Sequence, residues 1–270
     1  MTTVRMAKHH GLGNDFLVLV DLDGRFPLSA GTVARLCDRR RGIGADGLMR
    51  VMAGDNGCDL RMELRNADGG EAEVSGNGIR CLAQAAIWDG LVRGPDLVVG
   101  TVAGPRAVHV GPGGRPEVAR VRVGMGVPAV SPADEEVAVE DRHWRGRFVQ
   151  LGNPHLVLVE AELGSLDLGR LGPAIEASRS GGLNVEWARP GRQALTIRVW
   201  ERGVGETLAC GSGSVAAAAA AGAMGLVAGD RLTVHNPGGD LQVEWSGGEA
   251  YLEGPAERVG VVEVEVELAS

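Results

Sequence analysis

The sequence predicts an α+β (α/β) fold made of two similar lobes, and three observations support this prediction. A glycine-rich turn that leads into a helix-forming stretch occurs twice, at 66–80 and at 201–214. A second pair of similar segments, 12–20 and 151–159, follows the same order along the chain. Short stretches of alternating apolar residues bounded by Gly and Pro are typical of strands. Two repeated pairs in one order indicate a duplicated unit, and hence two pseudo-symmetric lobes.

The predicted N-terminal lobe comprises residues 1–122 together with 262–270, and the predicted C-terminal lobe comprises 123–261. Because the segment 261–268 alternates valine with glutamate, it predicts a half-exposed strand that returns to the first lobe. The proline-containing, acidic segment 124–141 is interpreted as a hinge. Apolar periodicity predicts helices at 29–39, 77–88 and 171–180, and a helix over the alanine block 216–221.

Composition excludes several classes of protein. A net charge of −8 over 270 residues argues against nucleic acid and anionic membranes as partners. The polar start and the lack of a long apolar run predict neither a signal peptide nor a membrane span, so a cytoplasmic setting is expected. The cysteines form no CxxC pair and no zinc-like cluster, and three of them are interpreted as structural: Cys37, Cys58 and Cys81.

Two cofactor classes are also disfavoured. Lys8 is the only lysine, which argues against a pyridoxal phosphate enzyme, because that chemistry needs a Schiff-base lysine. The segment 42–47 matches the GxGxxG pattern of dinucleotide sites. It follows a helical pattern and precedes an apolar run, which is the reverse of the context that such a site requires. We therefore reject a dinucleotide site, while a glycine-rich loop near a small ligand remains open.

Cys210 is the strongest candidate for chemistry. It precedes Gly211 and Gly213 at the start of the alanine-rich helix, where unpaired N–H groups form an anion site. The partial positive charge there is expected to lower the pKa of the thiol and so favour the reactive thiolate. A buried structural cysteine is the alternative reading. The first copy of the repeat has Ser75 at the position of Cys210, so the two side chains are expected to face one ligand.

Six motifs together resemble one family over nearly the whole chain. The segments are 11–16, 66–69, 76–80, 152–155, 201–202 and 205–213, and they are similar to diaminopimelate epimerase. The resemblance implies epimerisation of LL-2,6-diaminopimelate to the meso form, a step toward lysine and cell-wall precursors. It also implies no cofactor, no metal, a small-molecule substrate and a homodimer. Each lobe is expected to wrap a mostly antiparallel sheet around a central helix, with the active site in the cleft between the lobes.

The resemblance also implies roles for individual residues. Cys210 and Ser75 correspond to the two catalytic positions on opposite faces of the α-carbon. His155 and Glu201 correspond to groups that tune the site, and Arg202 to the group that binds the distal carboxylate. The implied substrate-binding set is Asn14, Asn66, Gly76, Asn77, Asn153, Asn184, Glu201, Arg202, Gly211 and Ser212. Taken singly, an Asn in a glycine-rich turn is usually a turn former, and only the joint match favours the functional reading.

Ser75 departs from the family pattern, which has a cysteine there. A hydroxyl is a poor base at neutral pH. Three explanations stay open: an engineered Cys-to-Ser change, a natural variant that works slowly with serine, or a related reaction of the proline racemase or dehydratase type. From another class, the chain could be a catalytically weak homologue that binds diamino acids. Exchange of the α-hydrogen with solvent deuterium distinguishes an enzyme from such a binder.

Overall fold

The structure, a computed structural model, describes residues 1–72 and 75–268. The chain divides into two compact units, Met1–Val123 with Gly254–Ser270, and Gly124–Glu253. Strands contain 48% of the residues and helices 17%. Among the helices of the described ranges, none combines the length and the apolar character that crossing a bilayer requires.

The first unit consists of strands and two helices. The helices are α1 (Ala30–Cys37) and α2 (Gly76–Trp88). The strands are β1 (Thr2–Gly11), β2 (Asn14–Val20), β3 (Gly47–Ala53), β4 (Leu60–Asn66), β5 (Asp96–Thr101), β6 (Gly104–Pro112), β7 (Val118–Gly126) and the later part of β17 (Glu249–Val266).

These eight strands form a closed barrel. Each strand from β1 to β6 pairs with the next along the chain, and β17 pairs with both β7 and β1. Closure leaves no unpaired strand edge in the ring. Helix α2 packs against β1 to β6, and its residues from Gly76 to Ala86 are buried. The N-terminus of α2 is therefore held in position by the barrel.

The predicted α+β class, with two lobes that each wrap a sheet around a helix, is wrong. The chain is mostly strand, and its sheet includes a closed eight-stranded barrel. Two conspicuous helix-forming stretches had suggested a larger helical share than the fold contains. The alternating valines of β17 pair antiparallel with β1 from Thr2↔Val266 to His10↔Glu257, and this distant pairing helps to close the ring.

The second unit is also built mainly from strands. Its helices are α3 (Leu168–Glu176) and α4 (Gly211–Ala223), and a short 3₁₀ helix covers Leu163–Ser165. Its strands are β8 (Ala129–Val130), β9 (Glu135–Val139), β10 (Arg142–Gln150), β11 (Pro154–Val159), β12 (Asn184–Pro190), β13 (Ala194–Glu201), β14 (Gly205–Thr207), β15 (Arg231–Asn236), β16 (Gly239–Ser246) and the start of β17.

Helix α4 is the buried helix of the second unit. It packs against β10, β11, β12, β13, β15 and β16. Its small side chains allow this close approach, and Ala216, Ala217 and Ala218 are fully buried. Because α4 has no polar face, it is suited to a position enclosed by strands. A separate core cluster contains Trp144 and Trp187, whose rings meet edge to face with centroids 6.3 Å apart.

The two units share a local plan around α2 and α4. Each helix has 13 residues. Each comes after three strands, of which the first and second pair in parallel and the second and third pair antiparallel. These trios are β2, β3 and β4 in the first unit and β11, β12 and β13 in the second. Helix α2 begins after β4, and α4 begins after β13 and the short β14.

The observed bounds of several helices differ from the predicted ones by a few residues. The helix predicted at 29–39 is Ala30–Cys37, with Ser29 as its N-cap, and the helix predicted at 171–180 is Leu168–Glu176. The predicted hinge 124–141 contains β8 and β9. Gly47, the last glycine of the GxGxxG match, begins β3, so the match lies between a helix and a strand and lacks the context of a dinucleotide site.

Candidate functional site

Cys210 is the N-cap of α4. Its backbone is extended, with φ −119° and ψ 121°, and its Sγ accepts a hydrogen bond from the Gly213 N–H at 3.3 Å. The Ser212 hydroxyl lies 3.5 Å from the same sulfur. Cys210 is only 4% exposed, and Gly211, Ser212 and Gly213 are buried with it. The first turn of α4 therefore directs its N–H groups toward the thiol.

The expected lowering of the Cys210 pKa is not observed. Burial raises the pKa of this thiol well above its usual value, and the carboxylates of Glu201 and Glu186 raise it further. Hydrogen bonds from Ser212 and Gly213 act in the opposite direction but do not prevail. Desolvation and neighbouring negative charge thus outweigh the helix N-terminus. Cys210 is therefore held as a thiol, the form that can deliver a proton.

Glu201 lies at the end of β13, opposite Gly205 in a tight hairpin with β14. Its Oε1 accepts a hydrogen bond from the Thr207 hydroxyl at 2.5 Å, and its carboxyl group is close enough to Cys210 for each to shift the pKa of the other. Burial raises the pKa of Glu201, and the nearby Glu186 adds to this effect. A carboxyl group with a raised pKa beside a thiol can exchange a proton with it.

His155 lies in a buried chain of polar groups. Its Nδ1 is 2.7 Å from Glu186 Oε1, and its Nε2 is 2.9 Å from Asn153 Oδ1. His155 and Glu186 are both fully buried. The sequence predicted His155 and Asn153 as site residues, but it did not predict Glu186, which joins them to the surroundings of Cys210.

Arg202 and Asn184 are also joined. Asn184 Oδ1 accepts a hydrogen bond from the Arg202 backbone N–H at 3.0 Å, and its Nδ2 donates to the Pro154 carbonyl at 3.1 Å. The Arg202 guanidinium donates to the Gly181 carbonyl at 3.1 Å. Asn184 thus anchors the turn that carries Arg202, and its predicted contact with substrate stays a prediction.

Ser75 occupies the same position on α2 as Cys210 does on α4. It is the N-cap, with φ −130° and ψ 114°, and its Oγ accepts a hydrogen bond from the Gly78 N–H at 3.0 Å. Its neighbours at positions 73 and 74 lie outside the described residues. Ser75 is partly exposed, whereas Gly76 and Asn77 behind it are buried. The two N-caps therefore have matching geometry and different chemistry.

Asn77 and Asn14, two predicted binding residues, contact each other. Asn77 Nδ2 donates to Asn14 Oδ1 at 3.1 Å, and Asn14 Nδ2 donates to Asp46 Oδ2 at 2.9 Å. Asp46 belongs to the glycine-rich loop before β3, and Arg39 binds its carboxylate at 2.7 Å. This loop supports the side chains at the α2 N-terminus, a role that the sequence had left open.

Arg80 is a buried cation behind the same N-terminus. It is fully buried, and it donates hydrogen bonds to the Asn77 side chain at 2.8 Å and to the Gly76 and Pro255 carbonyls at 3.2 Å. Burial lowers its pKa to about 10. A methyl group at Gly11 would lie 2.8 Å from this guanidinium, so a larger residue there would displace a hydrogen-bonded, buried group. The charge adds to the positive potential of the α2 N-terminus.

The remaining candidates are placed as follows. Asn66 ends β4, opposite Gly47 of β3, and its backbone closes the turn to Gly69 and Gly70. Burial raises the pKa of Cys37 to about 11 and that of Cys81 to about 12, as expected for unreactive structural thiols. Within residues 1–72 and 75–268, His, Cys, Asp and Glu side chains form no group of three or more that could hold a metal ion.

Comparison with known proteins gives a consistent match. The sequence model of the family described as "Diaminopimelate epimerase" matches residues 6–130 and 147–259. A diaminopimelate epimerase from Moorella thermoacetica is 41% identical over 280 residues, which covers 95% of this chain and 97% of the relative. The similarity thus extends over both units and includes Ser75 and Cys210.

Solved structures with low sequence identity share the fold. A phenazine biosynthesis protein of the PhzF family from Bacillus anthracis has a TM-score of 0.74 at 16% identity, covering 98% of this chain and 100% of that chain. A hydroxyproline epimerase from Agrobacterium vitis has a TM-score of 0.74 at 17% identity, covering 98% of this chain and 91% of that chain. These likenesses concern the fold alone.

Proposed function

Because the chain belongs to the diaminopimelate epimerase family, an isomerase family, we propose that it interconverts LL- and meso-2,6-diaminopimelate without a cofactor. The observation that carries this proposal is Cys210 at the N-terminus of buried α4, beside Glu201, in a chain that matches the family in both units. The reaction inverts one α-carbon and needs a proton acceptor on one face and a donor on the other.

The proposed chemistry has two parts. A base removes the α-hydrogen as a proton and leaves the electron pair on the α-carbon, and an acid returns a proton to the opposite face. Cys210 rests as a thiol, which can return a proton to its own face of the α-carbon, and in its ionised form it can take a proton from that same face. The N–H groups at the start of α2 and α4, including Asn77 and Ser212, bind the α-carboxylate and stabilise the developing charge.

Ser75 is proposed to limit the reaction. Its hydroxyl stands at the second acid–base position, and it is a far weaker base at neutral pH than a thiol would be. Proton exchange on the Cys210 face therefore outpaces inversion. Turnover in this form is slow, and the substrate is still bound through Asn14, Asn66, Asn153, Asn184 and Arg202.

The same proposal includes a homodimer in the cytoplasm, as in the resemblance set out above. The alternatives are a related racemase or dehydratase of the proline racemase type and a diamino-acid-binding homologue. None of the contacts described above favours either alternative. The 41% identity to a diaminopimelate epimerase, over 95% of the chain, supports the epimerase.

The function is tested with LL-diaminopimelate and the protein in deuterium oxide. We expect meso-diaminopimelate to appear with one deuterium at the inverted α-carbon, and deuterium to enter the remaining substrate faster than inversion proceeds. Chiral chromatography follows stereochemistry, and mass spectrometry follows the label. L-Proline under the same conditions serves as the control substrate. Absence of both label and inversion would identify a binder, and label in proline alone would indicate the related racemase.

Arg202→Lys is predicted to weaken diaminopimelate binding by about 1 to 3 kcal/mol, the range for loss of a charged hydrogen bond. Only a planar guanidinium binds a carboxylate through two parallel bonds, so lysine does not replace it. Isothermal titration calorimetry measures the change. Arg189→Lys is the matched control, because Arg189 is an exposed arginine at the far end of β12 from Asn184. Equal affinity in wild type and Arg202→Lys would show that Arg202 does not bind the distal carboxylate.

A further inference from the structure

Glu186 is a fully buried carboxylate on β12, one strand away from the β13 end that carries Glu201. Its Oε1 is bound to His155 Nδ1 at 2.7 Å, and its Oε2 is buried without a hydrogen-bond partner among the described residues. A buried carboxylate oxygen without a partner is costly, so its retention requires a reason. No site role was assigned to Glu186 from the sequence.

The carboxylate lies directly against the first turn of α4. A methyl group placed on Gly213 would come within 2.6 Å of Glu186 Oε1 and 3.2 Å of Cys210 Sγ. Gly213 therefore leaves room for both side chains at once. The same Gly213 donates its N–H to Cys210. Glu186 and Cys210 thus share one residue of the helix N-terminus as their neighbour.

Glu186 also fixes the polar chain that ends at Asn153. It accepts from His155 Nδ1, and the ring then meets Asn153 Oδ1 through Nε2 at 2.9 Å. The imidazole therefore bridges the Glu186 carboxylate and the Asn153 side chain. The carboxylate sets the orientation of a predicted binding residue through the imidazole.

The titratable groups around Cys210 come from three neighbouring strands. His155 lies on β11, Glu186 on β12 and Glu201 on β13, and α4 has no charged residue in its first turn. Of the other strands packed on α4, β10 contributes Arg147, which bonds to Asp134 and to the Ala223 carbonyl at the opposite end of the helix. On β15, His235 bonds to Asp240 of β16. The groups that act on the thiol are therefore the two glutamates.

The first unit shows what this position looks like without a charge. Met49 and Glu186 are each the third residue of their strand, β3 and β12. Each lies against the equivalent helix glycine: a methyl group on Gly78 would be 3.1 Å from Met49 Sδ. The plan of the fold thus accepts a neutral side chain here, and the carboxylate is specific to the Cys210 side.

We propose that Glu186 is a positioning residue for Cys210 and Asn153. Its carboxylate locks the His155 ring against Asn153 and places a negative charge behind the first turn of α4, which keeps Cys210 in its thiol form. The inference rests on the proposed function in so far as Cys210 is the acid–base group. Its test measures the thiol itself and does not need turnover.

The test is the rate at which iodoacetamide alkylates Cys210 at pH 8, followed by peptide mass spectrometry in the full chain. Glu186→Gln keeps the shape and removes the charge, and Glu186→Met introduces the residue found in the first unit. Removing a nearby charge shifts a pKa by about one unit or more. A lower pKa increases the fraction of Cys210 present as thiolate, but each thiolate becomes less nucleophilic. We therefore expect alkylation of Cys210 to be about threefold faster, or more, for each unit by which its pKa falls.

Two controls isolate the effect. Cys58, a half-buried cysteine of the first unit, gives the internal reference rate in every sample. Glu160→Gln removes a carboxylate of the second unit that binds Trp144 at 3.0 Å and does not act on Cys210. A Cys210-to-Cys58 ratio that rises in both Glu186 variants and not in Glu160→Gln supports the proposal. A ratio that stays at the wild-type value, or a Cys210 that remains unreactive in both Glu186 variants, overturns it.

The two proposals fail separately. If wild-type protein does not label or invert diaminopimelate, the proposed function is wrong, and the alkylation ratio still decides the role of Glu186. If the ratio is unchanged while wild type is an active epimerase, only the inference about Glu186 is wrong. In an active enzyme, Glu186→Gln should also displace the limb of the pH–kcat profile that belongs to Cys210 toward lower pH.

Discussion

Ser75→Cys is expected to raise the rate of diaminopimelate epimerisation by about 100- to 10,000-fold, the contribution typical of a well-placed acid–base group. A thiol ionises near neutral pH and a serine hydroxyl does not. The two positions have matching geometry, because Ser75 and Cys210 are both N-caps. Ser75 Oγ accepts a hydrogen bond from the Gly78 N–H at 3.0 Å, and Cys210 Sγ accepts one from the Gly213 N–H at 3.3 Å. KM should change little, because Ser and Cys are similar in shape. Chiral chromatography of the products measures the rate.

Matched serines test whether position matters. Ser29 is also an N-cap of the first unit, and it accepts a hydrogen bond from the Thr32 N–H at 3.1 Å. Ser29→Cys places a thiol at the start of a different helix and should leave epimerisation unchanged. Ser75→Ala should be no faster than wild type. If Ser75→Cys gains nothing, the second acid–base group of this enzyme is not at position 75.

The sequence predicted local features of the fold better than its closure. The repeated glycine-rich turns located the start of α2 within one residue, whereas α4 begins at Gly211, five residues before the predicted helix 216–221. Alternating valines indicated the last strand, because side chains in a strand alternate between two faces. Closure of the barrel depends on which strands pair, and β1 meets β17 across most of the chain. Alternation identifies a strand and carries no signal for its partner, so the class prediction was wrong.

The site was predictable where a motif carries the geometry. The sequence predicted that Cys210 lies at the start of the alanine-rich helix and that Ser75 has the equivalent position, and in the structure both residues are N-caps. The direction of the Cys210 pKa did not follow, because it depends on carboxylates brought close by strand pairing. Glu186 meets His155 because β11 and β12 pair in parallel with His155 opposite Asn184. One signal was present in the sequence: Glu186 is a charged residue inside the largely apolar segment 183–188.

Arg80 and Asp46 were missed for a related reason. Arg80 belongs to a motif that the sequence singled out, yet its contact with Asn77 requires knowledge of the helix face, and its enclosure requires the barrel. Asp46 lies in a loop between α1 and β3 and reaches Asn14 only because β2 and β3 pair in parallel. Such contacts depend on register, which is set by packing over the whole unit.

Cys210→Ser is expected to abolish both epimerisation and exchange of the α-hydrogen, because no thiol then remains at either of the proposed catalytic positions. Serine is a good N-cap and can accept the Gly213 N–H as Ser75 accepts that of Gly78, so the fold should hold. The loss is therefore chemical, and proton NMR in deuterium oxide measures it as the persistence of the α-hydrogen signal. Circular dichroism during heating confirms that the variant is folded. Cys58→Ser, in the first unit, is the control and should exchange at the wild-type rate. Exchange that continues in folded Cys210→Ser would mean that another group takes the proton, and the role proposed for Cys210 would have to be abandoned.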